Sequence, residues 1–113
     1  MHEMSLVESV LRIIEDAACE QNFSHVKRVT LEIGRLSCVE PEALRFCFDS
    51  VMQGTLAATA ALQIIEMPGQ GCCDTCAAEF PLESRYDACP KCGGFRIRVT
   101  AGDAMRVREL EVI

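Results

Sequence analysis

Cys73-Asp74-Thr75-Cys76 and Cys89-Pro90-Lys91-Cys92 are two Cys-x-x-Cys pairs, separated by the twelve residues Ala77 to Ala88. Each pair closes a tight turn that aims two thiolates at one point. Two such turns supply the four thiolates of a closed, tetrahedral zinc site. Gly93-Gly94 follows the second pair, where the backbone must turn sharply and glycine tolerates positive φ. Sulfur fills the whole coordination sphere, so no position stays open for a substrate water and the expected role of this zinc is structural. Residues 70–102 are too few to build a core of their own, so the metal is expected to hold them.

Composition limits the rest. The chain has 113 residues, half of them apolar, with one Tyr and no Trp. That suits one small globular core with a satellite and is too apolar for disorder. No apolar run approaches the ~20 residues of a membrane span. The N-terminus lacks the basic-then-apolar pattern of a secretory signal. Eight cysteines in paired spacing without such a signal point to thiolates on metal in a reducing cytoplasm. The net charge of -6 disfavours attraction to phosphate backbones. Residues 1–69 hold five Lys/Arg against ten Asp/Glu, whereas residues 70–102 hold four of each. The zinc segment is therefore not a basic nucleic-acid reader.

In chain order, Ser5-Leu6-Val7-Glu8 reads as a capping box. Leu6, Val10, Ile14 and Ala17 recur at helical spacing, predicting a helix over about 4–21. Val29, Leu31 and Ile33 alternate with Arg28, Thr30 and Glu32, predicting a strand with one buried face that ends at Gly34. Pro41 suits the first turn of a second helix, with Leu44, Cys47, Phe48, Val51 and Met52 on one side and Gly54 as its stop. Leu62 to Met67 is a second strand, closed by Pro68-Gly69. The last run, Met105 to Ile113, is a third strand whose alternation changes phase, so a β-bulge is expected near Arg108-Glu109. The expected fold is α+β: two helices packed on one face of a three-stranded sheet, with an inserted zinc-ribbon-like lobe. Residues 1–69 and 103–113 form the main domain, and 70–102 the lobe.

The first three residues have a chemistry of their own. The amine of Met1, the amide nitrogen of His2 and the His2 imidazole can close fused chelate rings on one ion, and Glu3 adds an amide nitrogen or a carboxylate. Nitrogen donors in a plane suit Ni(II) or Cu(II) better than Zn(II). The plain alternative is that His2 is a solvated terminal residue.

Met1-His2-Glu3-Met4-Ser5, Leu31-Glu32-Ile33-Gly34, the two cysteine pairs, Gly102-Asp103-Ala104-Met105 and Leu110-Glu111-Val112 occur in one order along the whole chain. In this the chain resembles the HypA/HybF family, the nickel chaperones of [NiFe]-hydrogenase maturation. The resemblance implies Ni(II) cargo held by His2 with Met1 and Glu3, and structural Zn(II) held by Cys73, Cys76, Cys89 and Cys92. Glu40 stands where some relatives place an acidic residue near the nickel. It also implies a nickel-handling GTPase and the hydrogenase large subunit as partners, and for some members urease accessory proteins. The implied activity is metal transfer by ligand exchange, with no enzymatic step, nucleic acid or membrane. Cys72 beside Cys73 departs locally from the pattern as a competing thiol.

Three other readings use the same residues. The chain could be a zinc-ribbon adaptor that binds only proteins, without nickel delivery. A nucleic-acid ribbon conflicts with the neutral lobe and acidic body. A thiol-redox role conflicts with four thiolates committed to zinc. No nucleophile with a base and no phosphate loop suggests an enzyme. Cys19, Cys38 and Cys47 read as small buried or half-buried residues, with Cys38 the exposed thiol if there is one. His25 reads as a loop residue. A monomer and a homodimer fit the sequence equally.

Overall fold

The computed structural model describes residues 3–113. Met1 and His2 lie outside the described residues. The chain forms two compact units, Met1–Leu31 with Val39–Ile65 and Arg106–Ile113, and Glu32–Cys38 with Glu66–Met105.

In the first unit, helix α1 spans Glu3–Gln21. Val7, Val10 and Ile14, three and four residues apart, form its fully buried stripe. It ends in Asn22, whose φ of 58 lets its amide return to the Ala18 carbonyl at 2.9 Å. The helix begins two residues before Ser5, which is exposed inside its first turns and accepts from Ser9 Oγ through its carbonyl. The expected capping box is therefore not the helix start.

Helix α2 spans Pro41–Val51. Glu40 is its N-cap, in extended conformation, and its carboxylate accepts from the Glu42 amide at 3.3 Å. Proline in the first turn costs no hydrogen bond, because that amide has no partner inside the helix. Leu44 and Phe48 are the buried residues of α2, and the helices pack on each other. Gly54, with φ of 76, follows the C-cap Met52.

Strand β1 (Val26–Gly34) lies between β2 (Ala61–Met67) and β6 (Met105–Val112), giving the order β2-β1-β6. One buried face was expected for β1, yet every residue from Val29 to Gly34 is buried. β1 is the central strand, so side chains of a neighbouring strand stand on each side of both its faces. Thr30 keeps a contact to Gln63 Oε1 at 3.5 Å. The exposure of β6 changes phase where the sequence does. Met105 and Val107 are half-buried, Arg108 and Glu109 are both exposed, and Leu110 is half-buried.

Three further strands, which the sequence did not disclose, build the second unit. They are β3 (Gly69–Cys73), β4 (Glu79–Leu82) and β5 (Ile97–Ala101), in the antiparallel order β4-β3-β5. Gly71 faces Phe80 in one register, and Cys72 faces Arg98 in the other. A small core accompanies this sheet: Leu36, Cys73, Phe80, Leu82 and Cys89, with Ala78, Ile97 and Val99 around it. Leu36 is 4% exposed, and its amide donates to the Gly102 carbonyl at 2.7 Å. A Cβ on Gly34 would collide with the Gly102 carbonyl, and one on Gly102 with the Pro68 carbonyl, so glycine is required for this close backbone crossing. Arg35 forks between Glu66 (2.9 Å) and Glu83 (2.6 Å), which holds its guanidinium firmly charged. The architecture is thus the expected α+β one: two helices, a three-stranded sheet and a zinc-ribbon-like lobe on a second small sheet.

Candidate metal centre

Two nearly identical turns present the four cysteines. In the first, the Ala77 amide donates to the Cys73 carbonyl at 2.8 Å, and the Cys73 amide to the Ala78 carbonyl at 2.9 Å. In the second, the Gly93 amide donates to the Cys89 carbonyl at 2.8 Å, and the Cys89 amide to the Gly94 carbonyl at 2.8 Å. The residue after each pair is left-handed, with φ of 60 at Ala77 and 72 at Gly93. The sequence announced this bend only at Gly93-Gly94. The repeat of cysteine, three residues, bend was the available signal for Ala77.

All four sulfurs lie within 4.8 Å of one another. Cys73 to Cys92 and Cys76 to Cys89 are each 3.6 Å apart. A tetrahedron with Zn–S bonds of ~2.3 Å has an edge of about 3.8 Å, so these two edges match a zinc site and the other edges lie within about an ångström of it. The separation is far beyond the ~2.05 Å of a disulfide. The first cysteine of each pair is buried and the second exposed. Cys72 is half-buried on β3, its Sγ directed at the Cys73 carbonyl at 3.9 Å, and stands outside the group.

The turns also sort the thiols by acidity. The Cys73 sulfur accepts from the Cys76 amide and also from that of Thr75, which holds its pKa below the usual thiol value despite burial. Cys89 accepts from the amides of Cys92 and Lys91 in the same manner and is brought down to about 6. At Cys76 the Ala78 amide pulls the value down, but the neighbouring thiols, Cys89 first, and partial desolvation of the sulfur in the cage together push it up to about 11. Cys92 is raised in the same way, its Gly94 amide outweighed by Cys73, partial desolvation and Cys89. Each pair thus joins an acidic thiol to a reluctant one, and a dication near all four replaces the remaining protons.

Among the residues assigned to the second site, Glu3 and Glu40 come together: Glu3 Oε2 accepts from the Glu40 amide at 3.2 Å. Met1 and His2 lie outside the described residues. Cys38 is exposed as expected, with φ of 63, and Cys47 is half-buried. Cys19 is exposed, against expectation, because it falls on the solvent side of α1 opposite Val7, Val10 and Ile14. His25 is an exposed loop residue whose Nδ1 lies 3.3 Å from Ser24 Oγ.

The family model for hydrogenase/urease nickel incorporation, metallochaperone, HypA, matches residues 1–112. The chain belongs to the HypA family. It is 56% identical to the hydrogenase maturation factor HypA of Rhodopseudomonas palustris strain BisA53 over 99% of both chains. It is 49% identical to that of Azotobacter vinelandii over the same shares. Its fold is similar to the solution structure of the Ni metallochaperone HypA from Helicobacter pylori, with a TM-score of 0.76 and 27% identity, covering 100% of this chain and 98% of that one. A second HypA solution structure gives 0.74 and 28% identity. HypA membership makes this chain one of a family of nickel-incorporation metallochaperones, a class of maturation factor rather than of enzyme. No described helix is long and apolar enough to cross a membrane.

Proposed function

We propose that the chain binds Ni(II) at its N-terminus and hands it on during [NiFe]-hydrogenase maturation, and for some clients urease, by ligand exchange with a nickel-handling GTPase and the hydrogenase large subunit. His2 supplies the imidazole and an amide nitrogen, Met1 the amine, and Glu3 a further donor. Residues 1–69 and 103–113 carry this cargo site. The 70–102 lobe holds a resident Zn(II) on Cys73, Cys76, Cys89 and Cys92, which fixes the lobe and keeps those thiols out of the transfer.

The observation that carries the reading is the whole-chain match to a nickel-incorporation family. Two features of this chain support the assignment of sites. Two edges of the sulfur cage are zinc-sized, and the group holds four donors among the described residues. The Glu3 carboxylate is already turned onto the Glu40 backbone, so a second acidic residue stands beside the terminal segment. Glu40 itself caps α2 and is proposed as an accessory donor, drawn off the Glu42 amide when the ion arrives. A site built largely from backbone nitrogen at a chain end binds selectively yet can be displaced donor by donor, which delivery requires.

The test is nickel titration of untagged protein beside its His2→Ala variant. The variant is expected to lose nickel binding and the planar diamagnetic nickel signal while keeping one zinc per chain and the same fold. Equal nickel affinity in the two proteins refutes the terminal site. Extending the N-terminus by one residue displaces the amine and is expected to weaken nickel binding in the same direction.

A further inference from the structure

Helix α2 turns one side away from the core. Leu44 and Phe48 are buried, whereas Glu42, Phe46, Asp49 and Ser50 are exposed and share the opposite side, being three and four residues apart. Phe46 is 74% exposed, in the middle of a regular helix. The carboxylates of Glu42 and Asp49 have no hydrogen-bond or ion-pair partner among the described residues. The one cation of the helix, Arg45, is drawn off this ridge, donating to the Leu62 carbonyl at 2.9 Å. Asp49 lies in the last turn, where the helix dipole disfavours an anion and where the helix has no basic residue. Neither Phe46 nor Asp49 therefore contributes to the helix that carries it. An aromatic ring framed by unpaired charge of one sign is the composition of an interface anchor and its rim.

We propose that this outer face of α2 docks a partner protein whose surface offers an apolar pocket for Phe46, rimmed by Lys and Arg that meet Glu42 and Asp49. The inference rests on the delivery reading above, because it gives that reading its contact surface. Charge decides the kind of partner. Unpaired carboxylates on both sides of the ring repel an acidic surface and steer a basic one. The face lies on the same helix that Glu40 caps, so Phe46 stands six residues along the chain from the proposed accessory donor.

The experiment uses the full-length chain. The nickel-handling GTPase and the hydrogenase large-subunit precursor of the same organism are each titrated calorimetrically with wild type, Phe46→Ala, Asp49→Lys and Glu109→Lys. Glu109 is an exposed acid on β6 and controls for net charge. All three substituted side chains are exposed, so the helix content of the variants is expected to match wild type. Phe46→Ala is expected to weaken binding to one of the two partners at least ~10-fold. Asp49→Lys is expected to weaken it several-fold at low salt, by a factor that shrinks as salt screens the rim, and Glu109→Lys to leave it unchanged. Wild type that binds while Phe46→Ala and Asp49→Lys bind equally well overturns the docking face and leaves the delivery reading standing. Equal loss in Asp49→Lys and Glu109→Lys shows a net-charge effect and also overturns it. A change in self-association with unchanged partner binding makes the face a self-interface, against the proposal. Wild type that binds neither partner overturns both readings together.

Discussion

The two cysteine turns differ at one position, and that difference predicts a pair of opposite mutational effects. Ala77 and Gly93 occupy the same place in their turns, at φ of 60 and 72. An L-residue with a Cβ pays about 1–2 kcal/mol in that region, which glycine avoids. Glycine in turn gains about 0.4–1 kcal/mol of unfolded-state freedom, which offsets part of the relief. Ala77→Gly is therefore expected to stabilise the lobe by about 0.5–1 kcal/mol, and Gly93→Ala to destabilise it by about the same amount. A Cβ on Gly93 meets nothing within 4 Å, so its effect is the backbone preference alone. Folding of a small metal-held lobe is metal affinity, so these values correspond to about two- to fivefold in zinc affinity. The assay is competition against a chelator for zinc, with Co(II) absorption as a check that all four sulfurs still bind. Ala77→Gly should bind more tightly, Gly93→Ala more weakly, and the double variant close to wild type. Weaker zinc binding in Ala77→Gly, or no loss in Gly93→Ala, refutes the argument that backbone conformation after each pair limits the site.

Other outcomes follow from the same geometry. Leu36→Ala empties a buried place beside Cys73, Phe80, Leu82 and Cys89 and is expected to destabilise that core by about 2–4 kcal/mol. Chemical denaturation followed by amide exchange in β3 and β4 would detect it, and unchanged protection there would count against the small core. Cys76→Ala is expected to abolish zinc retention and disorder the lobe before the helices melt, which metal content and thermal unfolding of the two regions would report. Zinc binding is also expected to release protons in a pH-dependent number. At about pH 7.5, Cys76 (about 11) and the raised Cys92 still carry their protons, while Cys89 (about 6) is already thiolate, so two to three protons leave per zinc. As pH falls through the Cys89 value that thiolate takes up its proton, the count rises, and affinity drops more steeply. Proton release measured in two buffers checks this, and a constant count of four from pH 5 to 8 would contradict it.

Legibility in the sequence depended on how local each cause was. The cysteine turns could be read because two ligands three residues apart need only one turn to converge. Helix α2 could be read because Pro41 and the buried side of Leu44 and Phe48 act within a few residues. Strand β1 was legible as a strand, but its depth was not. Thr30 and Glu32 alternate as a solvent face would, yet are buried on a strand that has a neighbour on each side. The lobe's strands were illegible for a related reason. Gly69-Gln70-Gly71-Cys72-Cys73 has little intrinsic preference for extension and becomes a strand through its pairings with 79–82 and 97–101.

The sequence alone determined the spacing of the four thiolates, the helix periods and the terminal Met1-His2-Glu3, all set by bonds and turns among near neighbours. Tertiary structure decided what distant residues do together. It put Leu36 against Cys73 and Cys89, and Arg35 between Glu66 and Glu83. It also turned Glu3 onto the Glu40 amide and left Phe46 on the side of α2 that meets no core. Each of these depends on loop closures across tens of residues, whose outcome is settled by the packing of the whole chain and by no short stretch within it.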